Sequence, residues 1–159
     1  MISFQCSAFL TGELALRVKM ITFVRLMYRF PMEEPVHVWA VRSPERIEAM
    51  KAATRYTFDA PVVFVVCCKP EDAWVRAVDG KNGAEIDAAI VGTHIMLQTA
   101  DIGLGSTWVG SFDPVKLKVV LPELEGWTPI ALFPTGHPEA APSPRHAERK
   151  AFEEFTTML

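Results

Sequence analysis

Residues 84–114 read AEIDAAIVGTHIMLQTADIGLGSTWVGSFDP, and the rest of the chain is best placed outward from them. Ile86, Ala89, Ile90, His94, Leu97 and Ile102 recur at helical spacing, while Val91, Ile95 and Met96 widen the apolar face until little polar surface remains. A helix apolar nearly all round is expected to be central and buried. Gly103 stands where a left-handed residue closes a helix most easily. The glycines that follow invite comparison with a dinucleotide-binding G-x-G-x-x-G turn, but that motif follows a strand and opens a helix. Here a helix precedes Gly103, and Trp108 occupies the third glycine's place. STWVGSF then reads as a short extended segment, and Asp113-Pro114 restarts a helix with a capping side chain and a first-turn proline in order.

Upstream, PVHVWAV (35–41) has strand composition and feeds SPERIEAMKAAT, where Ser43 is a plausible N-cap and Pro44 occupies the first helical position. APVVFVVCC (60–68) is a continuous β-branched run, as expected of a central strand covered on both faces. Residues 69–83 are polar and turn-rich, a loop or short irregular lid. Downstream, TPIALFPTG (128–136) is the last strand, and the Pro-rich, charged tail that follows is expected to wrap over something rather than pack inside. Residues 1–34 differ in kind. They carry Arg17, Lys19, Arg25 and Arg29 against Glu13, interleaved with bulky apolar residues, as in a basic amphipathic helix that packs within the molecule or dimer, docks on a partner, or, less favoured, lies on a membrane surface. Its charges interrupt every apolar run, so neither a transmembrane span nor a secretory signal fits. The chain thus divides into an atypical segment, 1–34, and a domain, 35–159.

At 159 residues there is room for one domain with a real core. Half of the residues are hydrophobic and mean hydropathy is +0.17, rich enough that a subunit interface is expected to take some apolar surface. A net charge of -3 gives no electrostatic footprint for nucleic acid. The three cysteines, Cys6 and the adjacent Cys67 and Cys68, suit a reducing cytosol better than a disulfide framework. His37, His94, His137 and His146 lie apart from one another and from any clustered ligands, which argues against a metal site. No serine stands in G-x-S-x-G, which removes the nucleophile-elbow hydrolases.

Taken in order and spacing, PVHVWAVRSPE, FDAPVVFVVCC, the stretch quoted above, LPELEGWTPIALFPTGHPE and PRHAERKAFEEF resemble the FMN-dependent nitroreductase family in its shorter branch, from about Pro35 to Phe155. The resemblance implies an α+β fold, a mixed β-sheet flanked by helices, and an intertwined homodimer with FMN in interface clefts. It implies that TWVGSF runs along the flavin edge, with Trp108 and Val109 lining the ring and the amides of Gly110 and Ser111 facing N5 and O4. In the tail it aligns Arg145 with a basic phosphate contact, and Arg149 follows one helical turn later. The function implied is reduction of nitroaromatic, quinone-like or similar electron-poor acceptors by NAD(P)H through FMN, with no side chain serving as a dedicated catalytic nucleophile. Residues 1–34 depart from the family pattern, since no Arg-x-Ser-x-Arg or Asn-x-Gln-Pro turn is present. The alternative is a non-catalytic dimeric module that keeps the fold without part of the FMN site.

Overall fold

The computed structural model describes residues 4–5, 35–141 and 143–159. The basic segment of residues 6–34, with Cys6, Arg25 and Arg29, lies outside the described residues. Strands are β1 (Phe4–Gln5), β2 (Val36–Val41), β3 (Val62–Cys68), β4 (Gly105–Ser106) and β5 (Thr128–Pro138), and helices are α1 (Pro44–Met50), α2 (Ala84–Asp101), α3 (Pro114–Val120) and α4 (Phe152–Phe155). The class is α+β, as expected. The sheet runs β1-β5-β3-β2 with β4 also on β5, and every pairing among the described strands is antiparallel.

β3 is buried at all seven positions, because it lies between β2 and β5 and is covered above and below. Alternation sends Val62, Phe64, Val66 and Cys68 into one cluster with Ala84, Ala88, Val91 and Ile95 of α2. It sends Val63, Val65 and Cys67 to the opposite cluster with Ile47 and Met50 of α1 and Leu117 of α3. The two cysteines therefore face different cores. Burial pushes the Cys67 thiol up to about 12 and raises that of Cys68 as well, so both are protonated, inert side chains at neutral pH.

The local punctuation follows the sequence closely. Ser43 accepts from the Arg46 amide ahead of α1, and Asp113 accepts from Val115 and Lys116 ahead of α3, each with proline in the first turn. α2 ends on Gly103 at a φ of 79°. There the Leu104 amide donates to Thr99 O and the Gly103 amide to Ala100 O, the paired bonds of a Schellman closure.

One expectation needs correction. α2 is not buried all round within the chain: its inward stripe is Ala84, Ala88, Val91, Gly92, Ile95 and Thr99, whereas Ile86, Ile90 and Leu97 are 48%, 39% and 61% exposed. Small side chains let the helix lie close on the sheet, and the larger aliphatics project from its far side.

Two of the three prolines in β5, Pro129 and Pro134, shape the ladder. Register shifts between Val66 and Cys67, where Val66 faces Ala131 and Cys67 faces Pro129, so Ile130 is skipped. On the other edge, Gly105 and Ser106 face Gly136 and Thr135, and Val109 bridges to Leu132. In that register Thr107 would face Pro134, which has no N–H to donate. The ladder breaks there, and the chain leaves the sheet between Ser106 and Val109.

Candidate functional site

Residues 107–112 form a ledge along the sheet edge, and each part is held differently. Val109 is buried and exchanges both backbone bonds with Leu132, at 2.9 and 3.0 Å. Its neighbours point the other way, as strand alternation requires, and Trp108 and Gly110 are exposed. The Trp108 ring meets Phe133 edge-on at 5.1 Å between centroids and 85° between planes, a favourable aromatic geometry. Beyond Gly110, the Ser111 carbonyl accepts from Thr54 Oγ1 at 2.8 Å, and the Asp113 amide donates to Ala53 O at 2.8 Å. The turn that follows α1 thus clamps the ledge from the side.

Between these two segments lies an open cleft of about 510 Å³, lined by residues 51–56 and 110–113, within the usual size of small-molecule sites. Its wall after α1 carries two basic side chains, Lys51 and Arg55. Lys51 is paired with Glu48 at 2.7 Å and Asp59 at 3.2 Å, and those carboxylates raise its pKa. Arg55 Nη2 donates to Tyr56 Oη at 2.6 Å, with its guanidinium over the Tyr56 ring. Asp113 contributes no basic group to the cleft: the Lys116 amide first, then that of Val115, holds its carboxyl below the usual range.

The ledge presents donors without partners. Among the described residues, the amides of Gly110 and Ser111 and the indole Nε1–H of Trp108 meet no acceptor. Gly110 is not in the left-handed region, and a Cβ there would make ordinary contact with Trp108 Nε1 at 3.5 Å. Nothing among the described residues demands glycine at this position.

Of the residues singled out in the sequence, Gly110 and Ser111 line the cleft, Trp108 is exposed beside them without lining it, and the Val109 side chain turns into the core with Val63, Val65 and Leu132. Arg145 and Arg149 do not line the cleft. Both are exposed on the tail, where Arg149 Nη1 donates to Glu148 O at 2.7 Å. Thr54, Ala53 and Gly92 escape a reading of the sequence: the first two end a helix without any motif, and Gly92 reads as an ordinary break in an apolar stripe. Among the described residues no His, Cys, Asp or Glu group could hold a metal ion, and no helix is long and apolar enough to cross a membrane.

The sequence model described as the nitroreductase family matches residues 28–137, more than half of the chain. The chain belongs to the nitroreductase family. A curated nitroreductase relative in Methanothermobacter thermautotrophicus, provisionally named NADH dehydrogenase/NAD(P)H nitroreductase, is 29% identical over 125 residues, covering 71% of this chain and 60% of the relative. This family member thus spans about three fifths of that relative's length. Among solved structures, a nitroreductase family protein of Clostridium difficile 630 superposes with a TM-score of 0.80 at 25% identity, covering 98% of this chain and 90% of that one. A nitroreductase of Exiguobacterium sibiricum 255-15, solved in complex with FMN, superposes with a TM-score of 0.77 at 13% identity, covering 99% and 91%. At that identity the likeness is one of nitroreductase fold.

Proposed function

We propose that this nitroreductase-family chain is an FMN-dependent oxidoreductase of the cytosol that accepts electrons from NADH or NADPH and delivers them to a small electron-poor acceptor such as a nitroaromatic or a quinone. The observation that carries this reading is the ledge: three N–H donors without acceptors among the described residues, at a glycine that those residues do not require. The edge of an isoalloxazine ring supplies acceptors to match, and Gly110 lets a flat ring approach the backbone. Bound FMN would supply two-electron transfer between the nicotinamide and the acceptor. The protein's part is placement: Val109, buried and bonded to Leu132, fixes the height of the ledge, Thr54 fixes its side, and Trp108 borders the ring. Fixed donors aimed at a ring that gains charge on reduction favour the reduced form electrostatically.

Phosphate is assigned to Arg145, whose guanidinium has no partner among the described residues, with Arg149 in a lesser role. As Arg145 does not line its own chain's cleft, the assignment goes together with a homodimer in which the tail crosses to another subunit. The outward side of α2 supports a dimer, since Ile86, Ile90 and Leu97 leave an apolar face that a second copy would bury.

Purified protein mixed with FMN is expected to show bound-flavin absorption, quench flavin fluorescence and bleach anaerobically with NADH or NADPH. Gly110→Val, whose side chain projects from the ledge, is expected to abolish uptake while near-ultraviolet circular dichroism stays native. A wild type that remains colourless in excess FMN overturns the oxidoreductase reading in favour of a non-catalytic module. Sedimentation equilibrium at micromolar protein is expected to give a dimer, and a stable monomer would refute the crossing tail.

A further inference from the structure

The inward stripe of α2 contains one residue whose lack of a side chain is required by its surroundings. A Cβ at Gly92 would stand 2.5 Å from Phe133 Cζ, 3.1 Å from Phe133 Cε2 and 2.9 Å from Trp108 Cζ3, where carbon pairs settle at about 3.5–4.0 Å. Both rings therefore sit in the space the missing side chain leaves. At the opposite end of the same indole, Nε1 and Cδ1 lie 3.5 and 4.0 Å from where a Cβ of Gly110 would be. The Trp108 ring is thus a rigid strut: its six-membered end is seated on α2 at Gly92 and its pyrrole end lies against Gly110.

We propose that Gly92 is a positioning residue for the FMN-binding ledge, its bare Cα serving as the socket that seats the Trp108 indole and thereby sets where Nε1 stands beside the Gly110–Ser111 amides. The inference rests on the oxidoreductase reading given above. Two rings would collide with a methyl group at Gly92, and they differ in freedom. The closer overlap is with Phe133, which is fully buried, whereas Trp108 is 39% exposed and rests edge-on against Phe133, so the shift that relieves both overlaps is passed to the freer indole. The displacement needed to restore contact distance is about 1 Å, a scale at which a binding constellation loses most of its advantage. Alanine is also the better helix former, so any loss of ligand binding in Gly92→Ala does not come from a weakened α2.

The test uses FMN itself with four proteins: wild type, Gly92→Ala, Trp108→Phe and the double variant. Gly92→Ala is expected to weaken FMN binding by about ten- to a hundredfold and to shift the bands of the flavin that still binds, a signature that lowered stability alone would not produce. Placed in the Trp108→Phe background, where the strut is already gone, Gly92→Ala is expected to add less than about a twofold further loss. Equal affinity and identical bands in wild type and Gly92→Ala overturn the positioning role alone, as does an equal loss in both backgrounds. A wild type that takes up no FMN overturns the functional reading and the positioning role with it. Should Gly92→Ala fail to fold, Phe133→Leu reads the same strut by removing the edge that supports the indole: weaker FMN binding supports the role, and affinity within about twofold of wild type overturns it.

Discussion

The ledge, with the residues flanking it from Gly105 to Asp113, is tied to other parts of the protein along its length, whereas among the described residues the hydrogen bonds and ring contacts of the tail from Ser143 to Leu159 lie within the tail itself. On the ledge, Gly105 and Ser106 pair with β5, Ser106 Oγ meets Thr99 Oγ1, Trp108 abuts Phe133, Val109 pairs with Leu132, and Ser111 and Asp113 bond to Thr54 and Ala53. In the tail, His146 donates to Ser143, Glu148 to Arg145 and Thr156 to Phe152, while Phe152 and Phe155 pack on each other. The ledge's geometry is therefore a property of the folded chain, present before any ligand. The tail's is not: its Phe152, Phe155, Met158 and Leu159 are all exposed, and a surface outside the described chain is needed to give it a place.

The contrast can be broken most forcefully at Leu132, which is fully buried beneath the ledge. Leu132→Ala is expected to cost about 2–5 kcal/mol of stability, read by urea denaturation, and to disorder the ledge while leaving α4 alone. Arg145→Ala should do the reverse, leaving the denaturation midpoint in place and weakening FMN binding by about 1–3 kcal/mol in a titration. Arg149→Ala, already bonded to its own neighbour, should do less. Equal and negligible effects from both arginines would place the phosphate elsewhere. Thr54→Val keeps the shape and removes the donor to Ser111, and a loss of about 1–2 kcal/mol in folding stability is expected. If that variant alters FMN affinity but not stability, the clamp serves the ligand rather than the fold.

The smallest effect concerns acid. The folded-state pKa of Asp113 is depressed by the α3 amides it caps, so its contribution is present above the unfolded aspartate value of about 4. It is lost as pH falls through the lower folded value. A thermal melt series from about pH 5 downward is expected to show Asp113→Asn losing less stability than wild type, and parallel curves would remove the cap from the account.

Much of this architecture was legible in the sequence because the signals were local. Ser43-Pro44, Asp113-Pro114 and Gly103 each specify a terminus through their own chemistry, and the unbroken run from Val62 to Cys68 allowed one place, the sheet centre. α2 was legible as a helix but not in its burial, since an apolar residue carries no mark of whether its partner is this chain or another. The site was half legible. Trp108 to Ser111 could be singled out together because they are contiguous and aligned with a family motif. Thr54 and Gly92 could not, because their roles depend on distances across the fold: Thr54 is 57 residues from the carbonyl it holds, and Gly92 matters only through two rings that arrive from other elements.

Pro134 leaves a lasting trace in how this edge of the molecule breathes. With no N–H at that rung, β4 and the Val109–Leu132 bridge are separate attachments rather than one continuous zipper. Opening of either does not have to propagate into the other. The two rungs of β4 can exchange their amide hydrogens with solvent in a local event while Val109, bonded on its own account, stays protected, so the part of the edge that carries the free donors is insulated from fraying next to the end of α2.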